Sequence, residues 1–196
     1  MMGPDLYEAM ARAGFEPPPS FEPGKVARFS RNGRQSDRAG WLLAFEDGEG
    51  AIFGDWRTGE EHQWQAKRER PQSEADRAAF RAMVEQAKRK AAEARDREHT
   101  EAAARAVALW NEAGPAPADH AYLVTKGISP DGARIGNDGR LLVPVYGPEG
   151  LQSLQFITPD AAKRFLTAGK MKGGHVWLGG QNGPPVAPEC VFLCEG

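Results

Sequence analysis

The chain has 196 residues, 40% of them hydrophobic and 27% charged, with a net charge of -2 and an isoelectric point near 6.1; these are the proportions of a globular protein with room for one medium domain or two small ones. That balance excludes a chain-wide cationic footprint for nucleic acid. A mean hydropathy of -0.57, with no apolar run near the roughly 20 residues a bilayer requires, excludes a membrane-spanning helix. The opening residues include Asp5 and Glu8 and no apolar core segment, so no secretory signal is read there and a cytoplasmic protein without a membrane partner is expected.

Leu6, Met10 and Ala13 recur at helical spacing ahead of Gly14, which predicts a short opening helix with a glycine stop. After the Pro17-Pro18-Pro19 break, residues 25–29, 40–45 and 51–56 read as three antiparallel strands. The Glu46-Asp47-Gly48-Glu49-Gly50 turn between the last two is the clearest hairpin signal in the chain. Between Gly24 and Gly40, Lys25, Arg28, Arg31, Arg34 and Arg38 stand against one acid, Asp37. They form either a phosphate-attracting patch or an ordinary solvated loop. Trp41 and Trp56 flank this loop; core placement is expected for both, with stacking on single-stranded DNA as the alternative. Asp55 and Arg57 pair with each other or contact phosphate, and both options stay open.

Residues 73–111 contain no Gly or Pro and are rich in Ala, Lys, Arg and Glu, the composition of one long helix or two. Ser73 followed by Asp76 reads as a capping box with Asp in place of Glu, and Phe80, Met83, Val84 and Ala87 make a narrow apolar stripe. Residues 88–100 offer only alanines for burial, so a solvent-exposed spacer is expected. The eleven basic residues between positions 67 and 105 are read as its solvated surface. Val107, Leu109 and Trp110 restore apolar content before Pro115-Ala116-Pro117 ends the helix.

A second unit follows, with a short helix near residues 120–127, strands at 140–146 and 151–157, a glycine-rich stretch over 169–183 and a last strand at 190–194. His120 is expected to open its helix by bonding to backbone, and Trp110, Phe156, Phe165 and Trp177 are expected to fill the core. Cys190 and Cys194 are the only cysteines, and His62, His99, His120 and His175 are scattered singly. No disulfide framework or four-ligand zinc spacing arises, and the cysteines read as small buried hydrophobes.

The second unit also carries an ordered series of segments: His120-Ala121-Tyr122-Leu123-Val124-Thr125-Lys126-Gly127-Ile128, Arg140-Leu141-Leu142-Val143-Pro144-Val145, Leu151-Gln152-Ser153-Leu154-Gln155-Phe156-Ile157, Lys163-Arg164-Phe165-Leu166 and Val191-Phe192-Leu193-Cys194-Glu195-Gly196. In this order they resemble the block leading into the Toprim domain of plasmid and phage DNA primases, and in less detail the RNA-polymerase core of bacterial replicative primases. Trp110 and Ala113 ahead of them fit the plasmid and phage version. The run Phe53-Gly54-Asp55-Trp56-Arg57-Thr58-Gly59, with Gly24 and Trp41, looks like the small module that precedes this block; the zinc ribbon that opens many primases is absent. A topoisomerase- or nuclease-type Toprim relative fits less well, because the Lys126-Gly127-Ile128 and Lys163-Arg164-Phe165-Leu166 segments resemble primases.

The resemblance implies an α+β chain: a small antiparallel N-terminal unit (1–68), a charged helical spacer (69–113), a primase-core subdomain (114–189) and the first Toprim strand (190–196). It implies a DNA primase that positions single-stranded template and nucleotides for primer synthesis with Mg2+ or Mn2+. A replicative helicase, fused or separate, is the further partner it implies. Glu195 matches the family's catalytic, metal-binding glutamate, and a divalent ion held by carboxylates is what phosphoryl transfer needs. The family's Asp-x-Asp pair has no counterpart after Gly196, so the expectation is a partial reading frame, inactive alone, whose residues 190–194 form an apolar edge that promotes aggregation or dimerisation. Arg140, Lys163, Arg164, Lys170 and Lys172 match or lie near the family's basic groove positions, and Arg28, Arg31 and Arg34 form the N-terminal candidates. For Lys170 and Lys172 a merely basic glycine-rich hairpin is an equal alternative. The competing function is a non-catalytic module that binds single-stranded nucleic acid or docks a partner.

Overall fold

A computed structural model describes residues 4–31, 33–34, 37–66 and 73–177. Cys190, Cys194 and Glu195, with the predicted last strand, lie outside the described residues. The chain is α+β, and its described residues form two antiparallel sheets, one long helix and two short ones. It divides into two compact units, Met1–Arg95 and Asp96–Gly196. Among the described residues no helix is long and apolar enough to cross a membrane.

Unit 1 opens with helix α1 (Pro4–Arg12), which buries Leu6 and Met10 completely, one turn apart on the same face. Gly14, at φ 79°, stops the helix: its N–H bonds the Ala11 carbonyl and the Phe15 N–H bonds that of Met10, the paired bonds of a Schellman cap. Strands β1 (Val26–Phe29), β2 (Gly40–Ala44), β3 (Gly50–Asp55) and β4 (Glu60–Gln65) form an antiparallel meander in sequence order. The expected hairpin turn joins β2 to β3, closed by the Phe45 N–H on the Gly50 carbonyl.

β4 makes a fourth strand where three are expected. It reads Glu-Glu-His-Gln-Trp-Gln and alternates in burial at the sheet edge, so it lacks the apolar run that marks the buried strands. Every residue of β2 and β3 is buried. Both faces of this sheet are covered, and such strands read as continuous apolar runs. On one face Leu42, Ala44 and Phe53 pack with Leu6, Met10 and Phe15; on the other, Trp41, Leu43 and Ile52 pack with Val84, Ala87 and Ala91. Gly54 is required by this packing, since a Cβ there would lie 2.1 Å from the Glu60 carbonyl oxygen and 3.2 Å from the Trp41 indole nitrogen.

Helix α2 (Glu74–Glu112) begins at the expected capping box: the Asp76 N–H donates to the Ser73 hydroxyl oxygen, and the Ser73 N–H and hydroxyl donate to the Asp76 carboxylate. Its first half supplies Val84, Ala87 and Ala91 to unit 1, and its last turns supply Ala106 and Trp110 to unit 2. Val107 and Leu109, which restore apolar content to the sequence here, are exposed. Ala106 and Trp110 sit one turn apart on the packed face, and the two other residues point away from it.

Unit 2 holds a second antiparallel sheet, again in sequence order: β5 (Gly114–Pro115), β6 (Arg134–Ile135), β7 (Leu141–Gly147), β8 (Gly150–Ile157) and β9 (Lys163–Phe165). Helix α3 (Ala121–Lys126) lies between β5 and β6. Leu142, Leu154 and Phe156 pack with Ala106, Trp110 and Ala113 on one face, and Leu141 and Ile157 pack with Tyr122 and Leu123 on the other. His120 caps α3 as expected. Its Nδ1 accepts from the Tyr122 N–H at 3.3 Å, which leaves Nε2 to donate to the Gly139 carbonyl at 3.1 Å.

Candidate nucleic-acid interface

In unit 1 the candidate cations meet partners inside their own unit. Arg28 lies on β1 opposite Trp41; its guanidinium sits 4.1 Å from the Trp56 ring centre and donates to the Arg38 carbonyl. Trp56 in turn stacks on Trp41, which is 2% exposed. The expected core placement therefore holds for Trp41, and Trp56 packs against the same cluster. Arg31 lies 2.7 Å from a Glu60 oxygen, 3.7 Å from Asp55 and 4.6 Å from the Phe15 ring centre. The His62 Nε2–H donates to the other Glu60 oxygen at 2.8 Å. That bond, ahead of the Arg31 contact, holds the Glu60 carboxyl below its ordinary range. Arg34 is exposed on the loop before β2.

Asp55 and Arg57 meet through the Arg57 backbone N–H and not through the Arg57 guanidinium. The Asp55 carboxylate accepts the backbone N–H groups of Arg57 and Thr58, shaping the turn into β4, while the Arg57 guanidinium reaches Asp37 at 2.8 Å. A small cleft beside Trp41 and Trp56, about 100 Å³, has Asp55, Glu60 and Glu61 in its lining, and its Lys88 is bound to Glu61 at 2.9 Å.

Unit 2 places its cations differently. β9 is the last strand in the sheet order, so its outer edge has no partner strand among the described residues. Lys163 and Arg164 on it are exposed, as are Lys170 and Lys172 in the turns that follow. None of the four has a carboxylate partner among the described residues, and residues 161–175 contain no acid. Alternation sends Lys163 and Arg164 to opposite faces. Lys163 stands opposite Ile157, with its ammonium 5.6 Å from the Tyr122 ring centre; Arg164 stands opposite Phe156. Arg140 joins the Phe156 side, its guanidinium 4.4 Å from that ring centre. It is also tied to Asp138 at 2.5 Å, and the Arg140 guanidinium is the first cause that holds the Asp138 carboxyl low.

Phe165 departs from the expected core role: it is 48% exposed, whereas Phe156 and Trp110 are buried as expected. Trp177 is half-buried with its ring edge-on to His175 at 5.3 Å. The reason for the Phe165 outcome is its place on the edge strand. Leu154, Phe156 and Leu166 fill the face shared with α2, while Phe165 points to the other face, past the reach of α3. Sequence reasoning missed β9 itself, a strand of three exposed residues that carries no apolar alternation to mark it.

Lys and Arg side chains arranged in this way can hold phosphate oxygens, Arg by its fork and Lys as a mobile charge. For metal chemistry the described residues supply no comparable site: no three His, Cys, Asp or Glu side chains among them gather as ligands. Glu195 lies outside the described residues, so no step through Mg2+ is assigned to the side chains seen here. No family model, no curated protein and no solved structure matches the chain.

Proposed function

We propose that the chain is a segment of a DNA primase that positions single-stranded template and nucleotides for Mg2+-dependent primer synthesis, with unit 2 holding the phosphates. The observation that carries this reading is the open edge of β9. Lys163 and Arg164 stand exposed on that strand, and Lys170 and Lys172 stand exposed in the turns that follow, all without acid partners among the described residues. The strand falls within the same Lys163-Arg164-Phe165-Leu166 segment on which the resemblance to mobile-element primases rests. Cations on an edge strand also discourage edge-to-edge pairing, and that role alone would not require the two further lysines of the turns. The alternative of a binding module built on unit 1 draws less support, because Arg28 and Arg31 are engaged within that unit.

The test uses the gene product that carries Glu195 together with a downstream Asp-x-Asp strand, assayed for Mg2+-dependent primer synthesis on single-stranded DNA. Glu195→Gln is expected to abolish synthesis. Lys163→Ala/Arg164→Ala is expected to raise the template concentration needed for half-maximal rate by about 10-fold while leaving the saturating rate within about twofold. Synthesis indifferent to both changes contradicts the proposal.

A further inference from the structure

Phe165 is an aromatic side chain that the fold does not bury. It stands on the edge strand of unit 2, between Arg164 and the turn that bears Lys170 and Lys172. Lys163 and Phe165 alternate onto one face of the sheet, roughly 7 Å apart along the strand, a span similar to that between the phosphate and the base of one nucleotide. Across β8, Gln155 is the register partner of Phe165, and Val143 is the partner of Gln155 on β7; both are half-buried. Val143 packs against the cluster that α3 forms with Leu141 and Ile157, so Gln155 is the side chain of that row that stands beside the ring.

This face of the sheet is bounded on two sides. At one end α3 covers Leu141 and Ile157 through Tyr122 and Leu123. At the other end the chain after β9 folds back over Ser153, where Gly169 approaches so closely that a Cβ would fall 2.0 Å from the Ser153 hydroxyl oxygen. The turns on either side of β9 contain Ala161 at φ 68° and Ala168 at φ 62°. Left-handed backbone at a residue other than glycine costs on the order of 1 kcal/mol; the first turn is held by hydrogen bonds between Thr158 and Ala162 and the second by the Gly169 N–H on the Leu166 carbonyl. Among the described residues the part of this face left uncovered lies around Phe165, with Lys163 at its margin.

We infer that Phe165 is a stacking platform for an unpaired nucleobase, with Gln155 beside it to meet the base edge and Lys163, on the same face, holding a flanking phosphate. The inference rests on the proposal that β9 binds nucleic acid, and it adds a substrate class: single strands, whose bases expose their faces, over duplexes, whose bases are stacked on one another. Charge complementarity selects this occupant over an apolar protein segment, since Lys163 shares the face of Phe165 and residues 161–175 carry no acid. Asp160, the nearest acid before the strand, accepts a hydrogen bond from the Thr158 hydroxyl within its own turn.

The experiment measures binding of the whole chain, by fluorescence anisotropy, to an oligothymidylate of about 12 nucleotides, to an abasic phosphodeoxyribose strand of the same length and to the corresponding duplex. The wild type is expected to bind the oligothymidylate about 10-fold more tightly than the abasic strand, a typical contribution of one stacked base. Phe165→Leu is expected to erase that difference and Phe165→Tyr to keep it, while neither changes affinity for the abasic strand. Lys163→Ala/Arg164→Ala is expected to weaken both single strands alike. If the wild type binds the two single strands equally, or Phe165→Leu preserves the preference, the stacking inference falls while phosphate binding by β9 stands. If no strand binds, or the Lys163/Arg164 pair changes nothing, the underlying proposal falls with it.

Discussion

The two units use the same residue types in opposite ways. In unit 1, Arg28 lies over Trp56 and bonds a backbone carbonyl, and Arg31 bridges Glu60 and Asp55 while lying over Phe15. These arginines hold the meander and its turns together. In unit 2, Lys163 and Arg164 project from an edge strand with no carboxylate to meet them among the described residues. The same division separates the aromatics, because Trp41 is interior to unit 1 and Phe165 is half-exposed on unit 2. A basic residue beside an aromatic is thus no sign of a binding surface by itself; the partner its charge has already found decides the matter.

The largest expected effect comes from testing how closely unit 1 is packed around its cations. Gly54→Ala puts a methyl 2.1 Å from the Glu60 carbonyl, and thermal unfolding is expected to report a loss of about 2–3 kcal/mol. A loss below about 0.5 kcal/mol would mean that the sheet yields easily there. Next, the charge reversal Lys163→Glu/Arg164→Glu is expected to lower affinity for single-stranded DNA about 100-fold at low salt, since two attractive contacts become repulsive. Its melting temperature should stay near that of the wild type, because both side chains are exposed. Arg31→Ala is expected to do the reverse, costing about 1 kcal/mol of stability and leaving DNA affinity unchanged within about twofold.

Smaller effects sharpen the comparison. Lys170→Ala and Lys172→Ala are each expected to reduce the slope of log affinity against log salt by about 0.7, the value for one phosphate contact on a single strand. An unchanged slope would assign that lysine to solvent. The smallest effect is one of pH. The Glu60 carboxyl is held below its ordinary 4.5 chiefly by the His62 hydrogen bond, so its contribution to stability is complete above 4.5 and is lost as pH falls through the lowered value. Melting curves collected downward from pH 5 should therefore show a smaller loss in Glu60→Gln than in the wild type.

Much of this architecture is legible in the sequence where local chemistry decides the outcome. The Ser73–Asp76 cap, the turn at residues 46–50, the glycine stop at Gly14 and the His120 cap each depend on groups a few residues apart, and the structure forms all four. β4 and β9 were not legible, because one is a polar edge strand and the other has three residues; neither carries the apolar period that identifies a strand. The different fates of Arg31 and Arg164 were also out of reach. Arg31 meets Glu60, 29 residues away in the chain, and only the β3–β4 hairpin brings that acid under it. Phe165 was misread for a related reason: an aromatic is a sound core candidate, but among the described residues the helix that covers Leu141 and Ile157 on that face leaves Phe165 48% exposed.

The central claim is that unit 2, through β9, carries the nucleic-acid surface, and that the unit 1 arginines do not. The most direct test is the affinity of the whole chain for fluorescent single-stranded DNA, measured side by side for the wild type, Lys163→Ala/Arg164→Ala and Arg28→Ala/Arg31→Ala. The account predicts a loss of about 10-fold for the first pair and a change within about twofold for the second. Equal affinities for the wild type and the Lys163/Arg164 variant, or the larger loss in the Arg28/Arg31 variant while it remains folded, would contradict it.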